Sequence, residues 1–202
     1  SSTSRTVLTA PKALRQHLKT VKTNRNNTKL LLISSNASEN ANIPKIANAV
    51  EYAKFTSTIE LNLQTTFKEH TAAYTTMELV DEAVSLAKRS GAVSHIVGVG
   101  SGAALDCAKA VSSILSCPAA GGDEYGTGIS SCSEYIQHVA QNAYDNNDAS
   151  NTTSSGSGTK VQLTLAPTTL GAAMASMSNA SLLLDPHEEA LIPCPLQLHD
   201  NA

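Results

Sequence analysis

Glycines, a serine hydroxyl and a charged pair are concentrated in one stretch, Ile96-Val97-Gly98-Val99-Gly100-Ser101-Gly102-Ala103-Ala104-Leu105-Asp106-Cys107-Ala108-Lys109. The run Ser94 to Val99 is short and apolar, which predicts a buried strand, and the glycines after it allow a tight turn without a Cβ clash. From Ala103 onward, Ala104, Leu105, Ala108, Val111 and Leu115 recur at helical spacing, so the turn should open directly into a helix. The start of such a helix offers free N–H groups and the positive end of its dipole, which suits an anion, commonly a phosphate. Gly98, Gly100, Ser101, Gly102 and Ala103 are the candidate phosphate-binding residues. Asp106 is placed to order the loop by accepting its N–H groups, and Lys109 to supply charge or simply to pair with Asp106.

Gly98, Gly100 and Ala103 fit the dinucleotide fingerprint G-x-G-x-x-G/A, which also calls for a second strand ending in an acidic residue about 20 positions on. Asp123 and Glu124 lie at that distance but follow Pro118-Ala119-Ala120-Gly121-Gly122, a loop composition. The stretch therefore reads as a phosphate turn without an ordinary ribose site.

Taken whole, Gly98 to Lys109 resembles the G-G-G-S-x-x-D-x-A-K signature of the iron-containing (group III) alcohol dehydrogenases, which are similar to dehydroquinate synthase and glycerol dehydrogenase. Asp106 and Lys109 are kept. Ser101 stands where the family usually has its middle glycine, and Ala103 where it usually has the serine. Ala166-Pro167-Thr168-Thr169-Leu170-Gly171 resembles the family's P-T-T-x-G segment. Beyond it the family often reads T-G-S-E, where this chain has Ala172-Ala173-Met174-Ala175.

The resemblance implies an NAD or NADP site in which Thr168 and Thr169 hydrogen-bond the pyrophosphate or the nicotinamide; as bare sequence they equally cap a strand-end turn. It also places Ser35 where many members end a strand in Asp, whose carboxylate accepts hydrogen bonds from the adenosine ribose. Without that charge a 2′-phosphate is not repelled, so NADP should at least be tolerated. In the family a metal held by one Asp and three His of a following helical domain polarises the alcohol oxygen. The resemblance stops before that domain, so no metal is expected on this chain and alcohol oxidation by it alone is not expected. A protein partner or a missing C-terminal domain should complete the cleft.

These residues have to be positioned by a fold, and composition narrows which. With 202 residues, 41% hydrophobic, one ordinary core can form, so the expectation is a single domain over residues 1–202. Aromatic residues make up only 3%, so the core is built from Leu, Ile, Val and Ala, which suits a sheet covered by helices. A formal net charge of −3 gives no broad footprint for nucleic acid, and no apolar run approaches the roughly 20 residues that span a bilayer. The chain should be soluble.

Cys107, Cys117, Cys132 and Cys194 form no C-x-x-C pair and read as reduced thiols. The histidines form no H-x-x-x-H pair and mostly fall in expected surface or loop positions, and His187-Glu188-Glu189 follows Asp185-Pro186 in an exposed turn. Before Glu39 there is no acidic residue, and the start Ser1-Ser2-Thr3-Ser4-Arg5 fits the remains of a transit peptide, which favours an organelle matrix or stroma over the cytoplasm.

In chain order, Arg5 to Thr9 is expected as an edge strand, and Pro11 starts a helix carrying Leu14, Leu18 and Val21 on one face. Leu30 to Ile33 is the first strand of a parallel sheet, ended by Ser35 and Asn36; Ile43, Ile46, Ala47 and Val50 mark a helix, and Thr58 to Leu63 a strand. Thr75-Thr76-Met77-Glu78 matches a capping box opening a helix through Leu79, Val80, Ala83, Val84 and Ala87 to Arg89. After the glycine turn and its helix, Ser131 to Ala143 is helical, and residues 145–159 are a low-complexity flexible insertion. Val161 to Ala166 is a strand, and Ala180–Leu184 with Ala190–Ile192 a closing hairpin. The fold class is α/β, a Rossmann-like parallel sheet flanked by helices.

Two functions of different kinds follow. One is the NAD(P)-binding half of an iron-containing alcohol dehydrogenase-like oxidoreductase, not catalytic alone. The other is a degenerate, non-catalytic accessory or structural subunit of a larger complex, which the altered Ser101, Ala103 and Ala172–Ala175 positions favour.

Overall fold

The computed structural model describes residues 12–23, 29–35, 48, 51, 57–62, 74–91, 93–117, 129–145, 161–168, 172, 178, 180–185 and 187–195. The expected edge strand at residues 5–9, the transit-like start, most of the helix at 43–50, Asp123 and Glu124, residues 146–159 of the insertion, Thr169 and Ala173–Ala175 lie outside them.

The apolar runs form the centre of the molecule. Strands β1 (Lys29–Ser34), β2 (Ser57–Asn62), β4 (His95–Gly100) and β5 (Gln162–Pro167) make one sheet in the order β2-β1-β4-β5, parallel throughout. Leu31 pairs with Ile59 on one side and Ile96 on the other, and Val97 pairs with Thr164. Leu30 to Ile33 and all of β4 are buried, as expected for strands covered on both faces.

Strand alternation divides the core in two. Leu30 and Leu32 of β1 and Val97 and Val99 of β4 face helix α1 (Ala13–Thr23), which covers them with Leu14 and Leu18. Leu31, Ile33 and Ile96 point the other way, toward α2 (Met77–Arg89) and α3 (Gly102–Ser116). The periodic residues Leu79, Val80, Ala83, Val84 and Ala87 of α2 all go into this second cluster. Helix α4 (Cys132–Asp145) adds Cys132 and the fully buried Tyr135. It runs through Asp145, which was expected to begin the insertion.

The capping box is shifted by one residue. The N-cap of α2 is Thr76, whose Oγ1 accepts the Leu79 N–H at 3.3 Å, while Thr75 belongs to a two-residue strand β3 (Thr75–Thr76). Two neighbouring threonines present the same capping chemistry, and strand pairing decides between them. β3 lies parallel to β6 (Ala180–Asp185), which forms an antiparallel hairpin with β7 (Ala190–Pro195), so the second sheet has the order β3-β6-β7. Its turn is the expected one: Asp185 Oδ1 accepts the N–H of His187 at 2.9 Å and of Glu188 at 3.4 Å. Pro193 and Pro195 sit at alternate positions of β7, an outer strand of this sheet, where two missing N–H donors discourage further strand pairing.

Candidate functional site

The strand order places the glycine turn at a break in the sheet's winding. From β1 the chain moves outward to β2, then returns past β1 to form β4 on its other side. The carboxyl ends of β1 and β4 therefore border a topological switch point, the usual position of a ligand crevice in an open α/β sheet.

Three loop starts are tied together there. Ser35 follows β1, and its N–H donates to Val99 O at 3.0 Å; Ser101 follows β4 and donates its N–H to Ser35 Oγ at 3.4 Å. Thr168 follows β5 and donates its N–H to Gly100 O at 3.1 Å. Ser35, Gly100, Ser101 and Thr168 thus meet at one edge. Gly102 and Ala103, in the first turn of α3, stand beside them.

The three glycines do different work. A Cβ on Gly98 would lie 2.6 Å from Ala108 Cβ, so its bare backbone lets α3 pack tightly on β4. Gly100 has φ +134°, and a Cβ there would overlap the Ser35 side chain, so it serves the junction between β4 and β1. Among the described residues nothing lies within 4 Å of a Cβ placed on Gly102, which leaves the mouth of α3 open on their side.

That opening has the chemistry of an anion site. Ser101, the exposed N-cap of α3, makes no side-chain capping bond, and the first turn holds no acidic residue. The first N–H groups of any helix lack intrahelical partners, so here the main chain and the helix dipole are left for an incoming negative group. By contrast α2 is closed by the Thr76 hydroxyl and carries Glu78 in its first turn. The residues present fit a phosphate.

Asp106 and Lys109, further along α3, form an ion pair with each other. The Lys109 ammonium is 2.7 Å from Asp106 Oδ1 and donates to Ser178 Oγ at 3.1 Å and Ala180 O at 3.0 Å, with the side chain 1% exposed. Ser181 Oγ donates to Asp106 O at 3.1 Å. Of the alternatives read from the sequence, the ion pair is present, and its contacts brace α3 against β6. Its partners Ser178, Ala180 and Ser181 carry no signal in the sequence. Ala172, in the segment that departs from T-G-S-E, is buried.

Among the described residues no group of three or more His, Cys, Asp or Glu side chains is arranged to hold a metal. His187 is exposed in its turn, but His95 is buried and His17 half-buried, contrary to a surface placement. Both rings meet the Thr164 hydroxyl, at 2.8 Å from His95 Nε2 and 3.2 Å from His17 Nε2. A polar residue opening an otherwise apolar strand is read as surface from sequence alone; α1 covers it here. Burial holds the His17 imidazole below its ordinary 6.5. No helix among the described residues is long and apolar enough to cross a membrane.

No protein-family profile and no curated protein sequence matches the chain. Solved structures do. An iron-containing alcohol dehydrogenase from Thermotoga maritima superposes with a TM-score of 0.57 at 18% identity, covering 92% of this chain and 42% of that one. The NADH-dependent butanol dehydrogenase A of the same organism gives 0.56 at 15% identity, covering 92% and 38%. The sulfoacetaldehyde reductase of Bifidobacterium kashiwanohense, solved with NAD+, gives 0.59 at 13% identity, covering 93% and 40%. The chain spans about two fifths of the length of these enzymes, and over that span it has the Rossmann-like fold of the iron-containing alcohol dehydrogenases.

Proposed function

We propose that this chain is the dinucleotide-binding part of an iron-containing alcohol dehydrogenase-like oxidoreductase. The observation that carries the reading is the open N-terminus of α3 at the β1/β4 switch point, where Ser101 leaves the first-turn N–H groups uncapped and Gly102 leaves the approach clear. The N–H groups of Gly102 and Ala103 would take the pyrophosphate, with Gly100 and Ser101 lining the turn. Ser35 would face the adenosine ribose, and Thr168 and Thr169 would hydrogen-bond the pyrophosphate or the nicotinamide. When bound, NAD or NADP supplies a hydride acceptor or donor. Asp106 and Lys109 keep α3 aimed at the crevice from behind.

The metal and the alcohol pocket are assigned to residues outside this chain, because it spans 42% of the similar enzyme. Its own contribution to the reaction is then to bind and orient the cofactor.

Calorimetric titration with NADH and NADPH tests this, using Gly102→Leu as control. A side chain at 102 enters open space, so this variant should keep its melting temperature and lose cofactor binding. No binding by the wild type at millimolar cofactor, or equal binding by the variant, would overturn the reading.

A second reading, a non-catalytic subunit that keeps the fold and docks in a larger assembly, is favoured by a different observation. Leu182 is 44% exposed and Leu191 43%, both on the outer face of the β6–β7 hairpin, and Tyr74 is 42% exposed. Apolar groups gathered on one face commonly mark an interface. Sedimentation over a range of concentrations that shows only monomer, together with tight cofactor binding, would remove it.

A further inference from the structure

Three of the four cysteines, Cys107 on α3, Cys132 at the start of α4 and Cys194 on β7, are buried in one apolar cluster. Dinucleotide binding uses none of them. Within the cluster the thiols of Cys132 and Cys194 lie near enough to shift each other's titration. Their elements are held together on both sides of this pair. The Cys132 N–H donates to Asp81 Oδ1 at 2.6 Å, fixing the start of α4 on α2. One turn later Tyr135 donates its hydroxyl to Pro195 O, the residue after Cys194, at 2.9 Å. Cys132 and Tyr135 share a helix face, so α4 meets β7 along this line.

The surroundings also give the two sulfurs different roles. Their mutual interaction holds Cys194 below the usual thiol range and Cys132 above it; burial and the Asp81 carboxylate raise Cys132 further. Burial pushes the Cys107 thiol up to about 12, which keeps it protonated.

We propose that Cys132 and Cys194 are a reversible dithiol–disulfide pair that takes a low-molecular-weight disulfide as oxidant and locks α4 onto the β6–β7 hairpin. The Cys194 thiolate attacks one sulfur of the small disulfide, forming a mixed disulfide and releasing one small thiolate. The Cys132 sulfur, losing its proton to solvent, then attacks Cys194 and displaces the second small thiolate. Two protein thiols are oxidised and one small disulfide is reduced to two thiols. Access comes through β7, an outer strand whose Ala190, Leu191 and Pro193 are exposed, so the hairpin can open locally while the four-stranded sheet stays intact. Because β6 also braces α3 through Ala180 and Ser181, the lock secures the support behind the phosphate-facing helix.

The test is to equilibrate the folded protein in mixtures of reduced and oxidised glutathione, quench with an alkylating agent and map the peptides by mass spectrometry. The expected product links Cys132 to Cys194, leaves Cys107 and Cys117 as thiols, and returns to four thiols in reduced glutathione. In Cys132→Ser the reaction should stop at a glutathione adduct on Cys194, and this adduct should exceed the Cys132 adduct in Cys194→Ser by about tenfold. Hydrogen exchange of β7 amides should slow in the linked form. No linked peptide at the most oxidising mixture, linkage through Cys107, or unchanged exchange in β7 would overturn the proposal. The wild-type mapping decides it even where a serine variant fails to fold, and no cofactor is involved, so it stands apart from the dinucleotide reading.

Discussion

Ser35 and Gly100 share one small space between β1 and β4: a Cβ on Gly100 would lie 2.8 Å from Ser35 Cβ, and the Ser35 Oγ already accepts the N–H of Ser101. The junction tolerates a hydroxyl at 35 only because there is no side chain at 100.

Gly100→Ala should therefore destabilise the protein by about 2 kcal/mol, from the positive φ and the overlap together. Ser35→Gly in the same chain should recover the overlap part and leave the φ part. Urea unfolding of the two single variants and the double variant measures this; independent, additive effects would show that the two residues do not share the space.

At residue 102 the expectation is the opposite. Gly102→Leu should leave the urea midpoint within about 0.5 kcal/mol of wild type while abolishing NADH and NADPH binding, because the added side chain meets ligand and not protein.

Ser35→Asp should restore a carboxylate at the end of β1 and make NADPH bind about tenfold more weakly relative to NADH, through repulsion of the 2′-phosphate. Fluorescence titration with both cofactors gives the ratio, and an unchanged ratio would place the ribose elsewhere.

Lys109→Met removes the cation from a buried pair, leaving the Asp106 carboxylate without its counter-charge and Ala180 O with only the Ser178 hydroxyl as donor. Loss of about 3 kcal/mol of stability is expected by denaturant unfolding. Cofactor affinity of the folded variant should change less than about tenfold, since this side chain faces β6; a larger loss would make it a phosphate ligand.

The His17 imidazole titrates below its ordinary value because burial disfavours its charge. The unfolded chain therefore binds more protons than the folded one between the depressed folded value and 6.5, and stability rises with pH across that window. The contribution is present above 6.5 and is lost as pH falls toward the folded value. His17→Gln, which keeps a hydrogen-bonding group for Thr164, should flatten this part of the pH profile of the unfolding free energy.

Much of the scaffold could be read from local pattern. The apolar runs Leu30–Ile33 and Ser94–Val99, the glycine turn into a helix, the α2 face and the closing hairpin all appear where their periodicity puts them. In each, the information is short-range: burial on two faces makes a strand apolar throughout, and burial on one face makes a helix periodic. Less of the site could be read this way. A signature such as Gly98 to Lys109 states which residues belong together but not which way they point. Gly98 turns out to serve packing, Gly100 the Ser35 junction, and Gly102 the open approach.

Element types, the position of the glycine turn and the absence of charge at Ser35 are all local properties, legible because each depends on a residue and its near neighbours. It takes the folded arrangement to bring Lys109 to Ser178 and Ala180, His17 and His95 to Thr164, and Cys132 and Cys194 into one buried cluster. Those partners are 62 to 147 residues apart in the chain. Pairing at such range is set by strand order and by which face of the sheet each helix covers, neither of which local spacing encodes.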